Sequence, residues 1–145
     1  MAAINPYLIF NGNCEEAFLF YQSVFGGEFP YVGKFSDMPA DAAGGGSISE
    51  EDKNRIMHIS LPIGKDSILM GSDSNTANAV AFGSNVSISI NAESRDEADK
   101  LFNGLSAGGS PFMPMSQTFW GAYFGMFVDK FGIHWMVNFD ETPNK

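Results

Sequence analysis

The chain is poor in cysteine, in basic residues and in long apolar runs. Its single cysteine, Cys14, excludes an intrachain disulfide and any metal cluster built on several thiolates. Lys and Arg number 8 against 17 Asp and Glu, a net charge of −9. No basic stripe is therefore available to displace counterions from nucleic-acid phosphates, and an anionic membrane surface is equally disfavoured. No run approaches the roughly 18 apolar residues of a membrane span. The opening "MAAINPYLIF" has neither a basic segment nor a cleavage site, so the expected location is cytoplasmic. What the chain does have is apolar bulk: 44% hydrophobic residues and 14 Phe in 145 positions, enough for a real core.

Strand and helix periods alternate along the chain. "INPYLIF" (4–10) reads as a strand, and "NCEEAFLFYQSVFGG" (13–27) as a helix. Asn13 is its expected cap, Glu15 and Glu16 lie in its first turn, and Ala17, Phe20, Tyr21 and Val24 form an apolar stripe. "EFPYVGKF" (28–35) is a strand, 36–54 a long loop, and "RIMHISLPIG" (55–64) with "SILMGSD" (67–73) a hairpin turned at Lys65 and Asp66. Small and polar residues 74–84 then link to a second half with the same order. "NVSISINA" (85–92) alternates Val86, Ile88 and Ile90 with Asn85, Ser87, Ser89 and Asn91. "SRDEADKLFNGL" (94–105) is a helix opened by a Ser94/Glu97 capping box, and strands follow near 112–118, 122–128 and 133–139.

A shift of 81 overlays the halves, pairing Ile9 with Ile90, Ala17 with Ala98, Phe20 with Leu101, Tyr21 with Phe102, Val24 with Leu105 and Gly27 with Gly108. The chain therefore reads as one domain, 1–145, built from two βαβββ modules at about 1–73 and 85–145. The expected class is α+β, with curved mixed sheets around a cavity and helices outside.

The pieces "PYLIFNG", "EEAFLFYQSVFGGEF", "MHISLPIG", "ILMGSD" and above all "FWGAYFGMFVDKFGIHWMV" resemble the vicinal oxygen chelate superfamily, which includes glyoxalase I, ring-cleaving dioxygenases and bleomycin-resistance proteins. More narrowly they resemble its PhnB-like branch, often labelled demethylubiquinone methyltransferases. The resemblance implies paired βαβββ modules, a homodimer with exchanged or shared modules, and, in catalytic members, four His/Glu metal ligands. Those four places fall here on Pro6, Met70, Ser87 (Asn85 in another alignment) and Met136. None is a good ligand for a divalent cation, so no metal or other cofactor is expected. No Gly-rich loop follows a strand to hold a methyl donor.

Strand parity nominates the ligand-facing residues. In "GIHWMVNF" the apolar face is Ile133, Trp135, Val137 and Phe139, leaving His134, Met136 and Asn138 opposite. In "MHISLPI", Ile59, Leu61 and Ile63 point to the core and His58 and Ser60 away. With Met70, Ser87 and Ser89 these would line a cavity of mixed polarity suited to a small organic ligand. Gln117 stands where relatives carry an acid or amide, and Trp120, beside Gly121, would wall the pocket or seal a subunit interface. His58 is the candidate general base, with a hydrogen-bonded strand histidine as the plainer reading. Asp129 reads as a cap on the Lys130–Phe131–Gly132 turn and Asp73 as a similar strand-end acid, while Glu50, Glu51 and Asp52 read as a solvated loop. The expected function is small-molecule binding. The alternatives are a metal-dependent glyoxalase-like lyase/isomerase or dioxygenase, and a structural or regulatory dimer with a vestigial cavity; whether the chain is an enzyme stays open.

Overall fold

The computed structural model describes residues 2–37 and 48–141. Within the expected 36–54 loop, positions 38–47 lie outside the described residues. Contacts divide the chain into two compact units, Met1–Ala81 and Phe82–Lys145, and both repeat one order of elements. The first runs β1 (Tyr7–Phe10), α1 (Cys14–Phe25), β2 (Tyr31–Lys34), β3 (Ile56–Ile63) and β4 (Ser67–Asp73). The second runs β5 (Ile88–Asn91), α2 (Arg95–Ser106), β6 (Ser110–Gln117), β7 (Ala122–Val128) and β8 (His134–Asp140). Each unit folds its strands into one four-stranded sheet, ordered β1-β4-β3-β2 and β5-β8-β7-β6. In both sheets the first strand runs parallel to the last, and the other pairs are antiparallel. The α+β class and the twice-written βαβββ order are thus what the chain adopts.

Helix α1 buries Cys14, Ala17, Phe18 and Tyr21, spaced i, i+3, i+4 and i+7. Phe20 and Val24, which periodicity assigned to the stripe, lie half-buried beside it. Four successive large residues from Phe18 to Tyr21 satisfy helical spacing in more than one phase, so the packing partner decides. That partner is β3 and β4, where Gly71 makes room: a Cβ there would stand 2.7 Å from the Phe18 ring. Asn13 makes no side-chain cap bond. The first turn is instead capped from across the sheet. Asp73, paired with Phe10 at the ends of β4 and β1, accepts from the backbone N–H groups of Gly12 (2.8 Å) and Cys14 (3.0 Å). Its other oxygen accepts from Ile56 N–H at 2.9 Å.

Helix α2 follows expectation more closely. Ser94 Oγ accepts from Glu97 N–H at 3.0 Å, Glu97 Oε1 accepts from Glu93 N–H at 2.7 Å, and Ala98, Phe102 and Leu105 are buried. Phe102 packs edge-on against Phe127, which pairs with Trp135. Fully buried side chains of this size contribute about 2–3 kcal/mol each. Strand β5 is shorter than the alternation suggested: it starts at Ile88, Ser87 precedes it, and Val86 is 73% exposed. The reason is its partner. Among the described residues β5 pairs only with β8, from Ile88 opposite Trp135 onward, and before His134 that chain is turning rather than extended.

Candidate functional site

In the first unit, registry puts Tyr7, Met70, Ser60 and Tyr31 in one row across β1, β4, β3 and β2. This row lies on the face turned away from α1, since Gly71 and Ile59, the alternate positions, carry the helix side. His58 shares the Ser60 face and stands opposite Gly33. Its ring sits between two tyrosines, with centroids 5.6 Å from Tyr7 and 5.8 Å from Tyr31. The Tyr7 hydroxyl is 3.2 Å from His58 Nδ1. Gly33 is what lets Tyr31 lie flat along the sheet, because a Cβ there would meet the Tyr31 hydroxyl at 2.6 Å. His58, Ser60 and Met70 therefore share one face; strand parity had placed His58 with Ser60, whereas Met70 came from the resemblance. Tyr7 and Tyr31 were missed. The alternation of "PYLIF" was the only signal for Tyr7, and nothing local marks Tyr31.

In the second unit, Ser89, Met136, Met126 and Met113 form a row across β5, β8, β7 and β6 on the face away from α2. Asn91, Asn138, Phe124 and Ser116 form the next row. His134 lies on the same face, with the Phe112 ring 6.5 Å away. Trp120 stacks edge-on upon Phe124 at 6.1 Å and stays 48% exposed. So His134, Met136, Asn138 and Ser89 share a face with Trp120 at its end, while Ser87 precedes the strand. Gln117 is on the other side. It pairs with Tyr123, whose ring lies under the Arg95 guanidinium at 4.2 Å, and its Oε1 accepts from Arg95 Nη2 at 2.8 Å. Arg95 also holds Glu141 through Nε and Nη2, and Tyr123 donates to Asp99 at 2.6 Å. The bond from Arg95 holds the Glu141 carboxyl below its ordinary range, and the bond to Asp99 pushes the Tyr123 phenol up.

Two buried acids outside these faces, Asp129 and Asp52, are structural. Asp129, 3% exposed, accepts from Phe131 N–H (2.8 Å) and Ile133 N–H (3.0 Å) with one oxygen and from Trp135 Nε1 (2.8 Å) with the other. It clamps the β7–β8 turn and ties it to the largest buried side chain, so both Asp129 and Trp135 serve the core as expected. Asp52 departs from the solvated-loop reading: it is 8% exposed, accepts from Thr76 N–H at 3.0 Å and faces Arg55. Burial, then the Asp73 and Glu15 charges, push the Cys14 thiol far above its ordinary value, which removes it as a nucleophile.

The four places that the resemblance assigns to metal ligands do not suit a divalent cation. Pro6 lies ahead of β1 with its carbonyl accepting from Met70 N–H, Ser87 lies ahead of β5, and Met70 and Met136 offer thioethers. Among the described residues no three His, Cys, Asp or Glu side chains gather into a metal-binding group.

This architecture is the glyoxalase/bleomycin-resistance fold: a glyoxylase/bleomycin resistance protein/dioxygenase domain from Frankia sp. EAN1pec superposes with a TM-score of 0.69 at 9% identity, covering 99% of this chain and 96% of that one. Residues 2–138 match the family described as 3-demethylubiquinone-9 3-methyltransferase, and the chain belongs to that family, the PhnB-like branch. Protein PA1353 from Pseudomonas aeruginosa is 43% identical, with a TM-score of 0.85 over 98% of this chain and 100% of that one. Protein YjdN of Escherichia coli K12 is 32% identical over 139 residues, 93% of each chain.

Proposed function

We propose that the chain binds a small organic molecule against the sheet faces turned away from its helices, without the His/Glu metal set of glyoxalase-type relatives. The observation that carries this is His58, held on β3 between the rings of Tyr7 and Tyr31 above Ser60 and Met70. Two half-exposed aromatic rings supply apolar contact area, and the imidazole and Ser60 hydroxyl supply a few oriented polar groups, the usual chemistry of a small-ligand site. The face of Ser89, His134, Met136 and Asn138, ending at Trp120, offers a similar mixture. The same reading takes the protein as a cytoplasmic homodimer; no described helix is long and apolar enough to cross a membrane.

A panel of small aromatic and oxygen-rich metabolites, screened by thermal shift, tests the proposal. A true ligand at 100 times its Kd adds about 2.7 kcal/mol to stability. His58→Ala tests the first face and Trp120→Ala the second, and each should reduce the shift if its face takes part. A ligand whose shift survives both substitutions refutes the assigned faces, and stoichiometric divalent metal in protein purified without added metal refutes the metal-free reading.

A further inference from the structure

A phenol hydroxyl 3.2 Å from an imidazole nitrogen can bond in two senses: it donates to the lone pair, or it accepts an N–H. In neutral imidazole one ring nitrogen carries a proton and the other a lone pair, so the choice at Nδ1 also decides what Nε2 offers. The unprotonated imidazole nitrogen is far more basic than a phenol oxygen, whereas the phenol O–H is a good donor. Donation from Tyr7 to His58 Nδ1 is therefore the favoured sense.

We infer that Tyr7 is a positioning residue for His58: its hydroxyl pins the proton of the neutral ring on Nε2, so that the ring presents an N–H donor rather than a basic lone pair. This rests on the small-molecule reading above and deepens it by naming the ligand's chemistry. The matching group is an oxygen acceptor, a carbonyl or carboxylate, on a molecule flat enough to lie against Tyr7 and Tyr31. Among the described residues the His58 ring has no other hydrogen bond, so Nε2 is left for such a group. The same arrangement removes the neutral ring from the role of general base through Nε2, because that nitrogen already holds its proton. Tyr31 contributes ring contact alone, and its hydroxyl packs toward Gly33.

The test is the tautomer itself, read by long-range proton–nitrogen correlation spectra of ligand-free protein carrying nitrogen-15 histidine. The His58 signals are assigned by their loss in His58→Asn, which leaves those of His134. The spectra are recorded in alkaline buffer, at about pH 8.5. The expected spectrum has His58 Nε2 at the protonated position and Nδ1 at the unprotonated one. In Tyr7→Phe both nitrogens should move toward the averaged positions of a freely exchanging ring, while Tyr31→Phe leaves them in place. A parent ring already averaged or protonated on Nδ1 overturns the inference. So does a Tyr7→Phe spectrum identical to the parent, or release of the proton by Tyr31→Phe. Because no ligand enters this measurement, failure of the small-molecule reading would show in the thermal screen and leave these spectra as predicted.

Discussion

Asp129 shows at the scale of one residue how a carboxylate earns its burial by organising a turn. It satisfies two backbone donors and an indole N–H at once, and an amide in its place accepts with one oxygen and turns an NH2 toward the remaining donor. Asp129→Asn is expected to cost about 2–4 kcal/mol, read from the urea midpoint. The cost should shrink in a Trp135→Phe background, because the orphaned indole donor is then gone; strict additivity of the two changes would refute the shared bond. Cys14 gives a pH dependence. The unfolded thiol ionises above its ordinary 9.0, whereas the folded thiol stays protonated well beyond that. The folded state's pKa is raised, so the stability tied to this group is intact below pH 9 and falls as pH climbs through and above it. Its upper limit is about 1.4 kcal/mol per pH unit. Between pH 8 and 10.5 the urea midpoint of Cys14→Ala should fall less than that of the parent. Equal slopes would mean that the thiol does not carry the alkaline loss.

Among the secondary elements, the β6–β7 hairpin is sensitive to a single methyl group at its open end. A Cβ on Gly109 would stand 2.2 Å from the carbonyl oxygen of Val128 and 2.8 Å from the carbonyl carbon of Asp129. Both are backbone atoms held by the clamped β7–β8 turn, so neither can step aside. Gly109→Ala is expected to cost at least about 2 kcal/mol, seen as a lowered Tm. A cost under half of that would mean that the start of β6 shifts freely. Elements are also where reading the sequence succeeded and where it failed. The hairpin of β3 and β4 was visible because alternation over seven or more residues admits one phase. The buried phase of α1 was not, because Phe18, Leu19, Phe20 and Tyr21 offer several. Val86 continued an alternating pattern past the point where β8 could supply a pairing partner. On β6, the register shifts between Pro111 and Ser116 mean that position along the chain does not disclose facing, and Gln117 ends up under Arg95.

For the whole molecule, a net charge of −9 and two copies of one module set the expectations. Sedimentation velocity at micromolar concentration should show a dimer, and a clean monomer would remove the homodimer from the proposed function. The amino-acid sequence by itself determined the module, its repetition at a spacing of 81 and the parity that placed His58 with Ser60 and His134 with Asn138. These follow from periods of 2 and 3.6, which are local properties of the backbone. Only the tertiary structure decided that Asp73 rather than Asn13 caps α1, and that Tyr7 and Tyr31 close on His58 from either side. The order β1-β4-β3-β2 places residues 7 and 31 on strands flanking the central pair, 51 and 27 positions from His58 along the chain. Contacts at such separations depend on strand order and register, which no local period encodes.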